Sequence, residues 1–224
     1  MKDLRAAFGW TTASALALLA CSGGPEHRIV DQYFNAVQHQ DDQTLGRFAA
    51  VKFDKKVDSW KVKETLEDTK DSAPLPELVK KMKDAEKAVA DNKKAAQTYV
   101  NEHYAEFDKV KELQKKGAAI PAKLKAVAEE LDKYNQKDRE LRKALSDAKD
   151  AVDRERRHAQ LSLGDRDDVD KLSGEVLTKK VRVAVTSGGQ TQDYIMTLRR
   201  YDVKGDSGPQ TVGRWMVQAV SPAG

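Results

Sequence analysis

The chain has 224 residues, with 40 Lys and Arg against 36 Asp and Glu, a formal net charge of +4, and a single cysteine. Charges so nearly balanced exclude the strongly basic footprint of a general nucleic-acid binder. One cysteine excludes an internal disulfide framework, and the length suits one or two domains.

Residues 1–20 have the layout of a secretory signal: Lys2 and Arg5 near the start, an apolar run from Ala13 to Ala20, then small residues. The run ends Leu18-Leu19-Ala20-Cys21-Ser22-Gly23-Gly24. Leu18-Leu19-Ala20-Cys21 resembles the bacterial lipobox, in which the chain is cut before the cysteine and the new N-terminal cysteine carries acyl chains. The resemblance implies a signal peptide at 1–20, palmitate-type lipidation at Cys21, a tether over 21–25 and the lipid bilayer as first partner. An unpaired cysteine in an exported chain fits that reading, and an ordinary cleaved signal with an incidental cysteine is the plainer alternative. By resemblance to lipoproteins of diderm bacteria, Ser22 rather than Asp implies the periplasmic face of the outer membrane if the host is diderm. Residues 1–20 carry Lys2 and Arg5 against Asp3, so their removal takes the charge from +4 to +3. The apolar run is too short to span a bilayer, and no later segment approaches the ~18 apolar residues a span needs.

From Glu26 to His39, Ile29, Val30, Tyr33, Phe34 and Val37 recur at helical spacing and predict a one-faced helix. Asp41-Asp42 breaks and recaps the chain, and Leu45, Phe48 and Val51 predict a second short helix from Thr44 to Val51. In Val57 to Leu66, Trp60 and Val62 alternate with Ser59, Lys61 and Lys63, which predicts a strand. Glu67 to Leu75 reads as a linker.

Between Pro76 and Gly164 the only helix-breaking residues are Gly117 and Pro121, close to the midpoint, so the segment reads as two long helices joined by one tight turn. A 4,3 spacing picks out Leu78, Met82, Ala85, Val89, Asn92, Ala96, Tyr99, His103, Glu106, Val110 and Leu113 on the first arm. On the second it picks out Leu124, Val127, Leu131, Tyr134, Asp138, Leu141, Leu145, Ala148 and Val152. These are matching heptad seams. Reversal near Ala118 and Ala119 places Val110 by Val127, His103 by Tyr134 and Val89 by Ala148. The seam is thin in apolar area, and each arm of about 40 residues reaches roughly 60 Å.

Beyond Ser173 the period becomes two. Val176 to Thr186, a Gly188-Gly189 turn and Gln190 to Val203 predict a β-hairpin, and Val212 to Val220 a last strand. Val181, Val183 and Val185, then Tyr194, Met196 and Leu198, then Trp215, Val217 and Ala219 form one face to bury against the first helix. The segments before and after the helical arm therefore complete one another.

The run Val30-Asp31-Gln32-Tyr33-Phe34-Asn35-Ala36-Val37, the Leu45-to-Phe53 helix and the terminal sheet ending Gly213-Arg214-Trp215-Met216-Val217 resemble the NTF2-like superfamily, in which a cone of sheet wraps a long helix. The expected fold is thus α+β: an NTF2-like, cystatin-like base interrupted by a long antiparallel α-helical coiled-coil hairpin. The base covers 26–70 and 174–224, and the hairpin with its linkers 71–173. The resemblance implies a pocket in the base, with Tyr33, Phe34, Trp60, Tyr194 and Trp215 as candidate lining. His27, His39 and Asp31 stand on or beside the first helix, where a solvated helix surface explains them.

No phosphate loop, nucleophile elbow or Cys-His pairing is present, so no catalytic residue and no cofactor is expected. The four histidines lack helical ligand spacing, and Asp165, Asp167, Asp168 and Asp170 lack the glycine and glutamate of a calcium loop, so no metal is expected. The basic run Arg154-Glu155-Arg156-Arg157 reads as a charged outer helix face, or as a contact for anionic headgroups. The leading expectation is a membrane-anchored envelope lipoprotein acting as a non-catalytic interaction or spacer module. Ala118, Ala119 and Ile120 form the candidate tip for an envelope protein partner. Self-association through the arms is a further partner class. The alternatives are a small-ligand-binding or isomerase-like protein using the base pocket, and a periplasmic adaptor resembling the membrane fusion proteins of efflux pumps.

Overall fold

A computed structural model describes residues 24–205 and 208–224. Cys21 and its lipobox lie outside the described residues. Five helices and a curled antiparallel sheet make a mixed α+β fold.

Helix α1 spans Pro25–Gln38, and proline at its first position supplies a preset backbone angle. Its Ile29, Val30, Tyr33, Phe34, Ala36 and Val37 are buried, as the one-faced spacing requires. Helix α2 spans Asp42–Phe48, capped by the Asp41 side chain accepting from the Thr44 N–H. It ends before Val51, because Ala49 leaves the helix to bridge Val217.

Strand β1 runs Ser59–Ser72, six residues beyond the predicted end and through the expected linker. A bulge between Val62 and Glu64 interrupts its alternation, so Glu64 is exposed. Its second half carries no apolar pattern because its partner holds it by charge. Glu64 meets Arg182 at 3.1 Å, Asp68 meets Lys179 at 2.9 Å and Lys70 meets Glu175 at 2.7 Å. Cross-strand ion pairs of this kind support a strand without burying a face.

The sheet continues with β2, Ser173–Ser187, and β3, Gln190–Lys204, then β4, Thr211–Val212, and β5, Met216–Pro222. The order is β1-β2-β3-β4, with β5 also on β3, and every strand pair is antiparallel. The single predicted last strand is therefore two. Gly213 to Trp215 separate the two strands: Gly213 still donates to the Tyr201 carbonyl at 2.7 Å, and it passes so close to α5, Ala122–Leu163, that a Cβ there would collide with Ser162 Oγ. Val181, Val183, Val185, Tyr194, Met196, Leu198 and Val217 close on α1 as one core.

The arm inserted between β1 and β2 consists of α3, Leu75–Glu102, α4, Tyr104–Lys115, and α5. The first arm is thus broken at His103, which no proline or glycine explains. Rings crowd the seam there: Tyr99 lies 4.5 Å from His103 and 6.3 Å from Phe107, where most other seam positions hold aliphatic groups. The expected pairing of His103 with Tyr134 does not form. Tyr134 faces Asn92, whose amide donates to its carbonyl at 3.2 Å, and Tyr99, ring to ring at 5.6 Å, rather than His103.

Candidate functional site

The residues singled out for an arm-mediated contact occupy three places: the distal turn, the seam and the root. At the turn, Gly117 adopts φ 62°, a left-handed angle that suits glycine, and the Ala118 N–H donates to the Leu113 carbonyl. Ala118 and Ala119 are exposed, and Ile120 is half-buried before Pro121 caps α5. The apolar tip is therefore two exposed alanines backed by one partly covered isoleucine.

Along the arm, every predicted seam position is buried or half-buried. Asn92, Val110, Val127 and Val152 are the fully buried ones. Asn92 inside such a seam fixes one pairing, because sliding would strand its amide away from an acceptor. The Tyr99 hydroxyl reaches the Val127 carbonyl at 3.4 Å and adds a second polar tie.

Among the described residues, four of the five buried polar or charged side chains, Glu155, His158, Ser162 and Arg199, gather at the root. Glu155, His158 and Ser162 on α5 face β3, and all are under a tenth exposed. Arg199 donates to both Glu155 carboxylate oxygens, at 2.9 and 3.0 Å, and the Tyr201 hydroxyl donates to Oε1 at 2.6 Å. His158 Nδ1 lies 3.4 Å from the same guanidinium. Burial acts to raise the Glu155 pKa, but hydrogen bonds from His158, Arg199 and Tyr201 outweigh it and hold the carboxyl at about 2. Burial pushes the Tyr201 hydroxyl well above its usual range, so it remains a donor. One turn on, the Tyr201 N–H donates to Ser162 Oγ, which itself donates to the Arg214 carbonyl.

Around this network Leu75, Val152, Ala159, Val176, Tyr201 and Val203 form a second apolar core, packed with Leu78, Val79 and Met82. Both arm strands of the chain, outgoing α3 and returning α5, are thereby fixed to the sheet. A buried, paired charge holds geometry more than it adds stability, since each partner is costly to bury alone.

Glu155 was read from the sequence as part of a solvated basic run, and the structure corrects this. The 4,3 seam read from the sequence stops at Val152; continued by the same steps it reaches Glu155, Ala159 and Ser162, all buried, so the period itself marks Glu155 and Ser162, while His158 stands one position off it. Near the end of α5 that face meets β3, which supplies Arg199 and Tyr201 to the Glu155 carboxylate. Arg156 of the same run donates to both Asp170 oxygens at 3.0 and 2.8 Å. Asp168 is held by Arg166, so these two acids of the acidic loop face arginines. Among the described residues no group of three or more His, Cys, Asp or Glu is placed to hold a metal.

The expected pocket lining comes together as filled core. Tyr33 and Phe34 are fully buried, and the Phe34 ring lies 5.7 Å from both Phe53 and Trp60 while Phe53 stands 5.0 Å from Tyr194. Edge-on and stacked rings occupy the space a ligand would need. Asp31 accepts from Trp60 Nε1 at 2.8 Å, and His39 bonds the Asn35 carbonyl on the helix surface. Trp215 lines an open cavity of about 610 Å³ bounded by α1, α2 and the segment before β5. Comparison with family models, curated proteins and solved structures yields no match.

Proposed function

We propose that this chain is an exported, membrane-anchored envelope lipoprotein whose helical arm serves as a non-catalytic interaction or spacer element. The base is read as an NTF2-like module and the arm as an antiparallel coiled-coil hairpin inserted in it. The observation that carries this reading is the arm's root. A helix of 42 residues, about 63 Å at 1.5 Å per residue, ends in a buried ion pair on the central sheet. A two-helix arm tied in this way transmits position from base to tip, whereas a hinged one does not. No helix of the described residues is long and apolar enough to cross a membrane; the resemblance of Leu18-Leu19-Ala20-Cys21 to a lipobox is what supports attachment through acylated Cys21. The filled core disfavours the ligand-pocket and isomerase alternative, which requires space beside Tyr33 and Trp60.

Two experiments test the parts separately. Cys21→Ala is expected to abolish labelling by radioactive palmitate and move the protein out of the membrane fraction; retention of both would overturn the anchor. A photo-crosslinking residue at Ala119 in the native host is expected to capture one defined envelope protein by mass spectrometry, with the same residue at Gly205 silent. Capture at neither position, in protein shown to be exported and acylated, would sink the arm-tip reading.

A further inference from the structure

Arg28 and Gln32 of α1, Thr44 and Arg47 of α2, Arg200 of β3 and Arg214 before β5 line the 610 Å³ cavity, and no carboxylate belongs to its lining. Four guanidinium groups without a lining acid form a local concentration of positive charge on a chain whose overall charges nearly cancel. Among the described residues, neither Arg28 nor Arg47 pairs with a carboxylate within 4 Å, and both are exposed.

The other two are positioned rather than free. Arg214 donates from Nε to the Leu161 carbonyl at 2.8 Å and from Nη2 to the Arg47 carbonyl at 2.7 Å, at the C-terminal ends of α5 and α2. These neutral acceptors orient the guanidinium and, among the described residues, leave Nη1 without a hydrogen-bond partner. Arg200 pairs with Asp202 at 3.1 Å and stacks 5.2 Å over Trp215. Its Nε and the Trp215 Nε1 are buried without partners, two orphaned donors beside the cavity. Lys179 also lies over Trp215, but it is engaged with Glu26 and Asp68. A smaller neighbouring cavity shares Arg47 and Arg214 and adds Arg157, with Asp165 as its one acid.

We propose that this cleft binds a phosphate-bearing anion. Guanidinium forks match phosphate oxygens in pairs, and Gln32 and Thr44 add neutral donors. Pro25 is on the cleft's rim, four residues after Cys21. Four extended residues span at most about 14 Å. Membrane headgroups are therefore the nearest source of phosphate, an assignment of source that rests on the acyl anchor proposed above; the cleft's chemistry does not.

The test uses the full chain in neutral detergent, titrated calorimetrically with inorganic phosphate and, separately, with short-chain phosphatidylglycerol. The comparison protein carries Arg28→Ala and Arg47→Ala, exposed helix positions where alanine is a good helix former. Saturable binding of at least one anion, weakened tenfold or more in the double variant at unchanged melting temperature, is expected. Binding of the lipid alone assigns the site to headgroups, and binding of phosphate alone assigns it to a soluble anion. Binding of neither, or equal binding by the double variant, overturns the proposal. Because the titration does not require acylation at Cys21, failure of the anchor and failure of the cleft are read independently.

Discussion

Replacing Glu155 with glutamine is expected to lower stability at pH 7 by about 3–5 kcal/mol, because it leaves Arg199 buried without its counter-charge. Arg199 is 9% exposed, so water does not make up the loss. The pH dependence follows from the same pair. The carboxyl is held at about 2 against an ordinary 4.5, a depressed acid, so its contribution is fully present above 4.5 and is lost as pH falls toward 2. At about 1.4 kcal/mol per unit the shift corresponds to roughly 3 kcal/mol. Urea denaturation of wild type and Glu155→Gln should therefore show a wide gap at pH 7 that narrows below pH 4.5. Hydrogen exchange in the last turns of α5 should accelerate in the variant, since that is where the arm meets β3. Equal stability at pH 7 would remove the root as the element that fixes the arm.

Truncating Phe34 to alanine is expected to cost about 3–5 kcal/mol, the upper range for an aromatic in a filled core. For a chain of this size each kcal/mol moves the melting temperature by about 2–4 °C, so a fall near 10 °C is anticipated. Phe34 is fully buried and touches Tyr33 edge-on at 5.2 Å as well as Phe53 and Trp60. The measurement bears on function because this is where a pocket was expected. A loss under about 1 kcal/mol would mean slack packing and would restore the ligand-binding alternative.

The two experiments address different ends of the fold. Glu155 lies in the polar network at the arm's root, and Phe34 in the apolar core under α1, with few shared neighbours. Their effects should add. If they do not, the arm and the core are coupled through β3, which carries both Leu198 and Arg199 on opposite faces.

The faces of α1, β2 and β3 were legible in the chain because burial of one side leaves a period of 3.6 or 2 in the residues themselves. On the arm, the positions picked out by the 4,3 spacing are likewise buried or half-buried. Where tertiary partners replaced apolar burial, that signal was missing. From Glu64 on, β1 is held to β2 by ion pairs of both polarities, and an all-polar run reads as a linker. The break at His103 falls where Tyr99, His103 and Phe107 bring their rings together on one arm, and no helix-breaking residue announces it. Glu155 and Arg199 stand 44 positions apart, and each alone reads as solvated. The cleft draws its arginines from α1, α2, β3 and the turn before β5, so no local spacing betrays it. What this sequence determines by itself is which residues must leave water. Which charges go with them, and which arginines converge, was decided only when distant segments packed, because ion pairing and charge convergence depend on distance in space and leave no periodic trace along the chain.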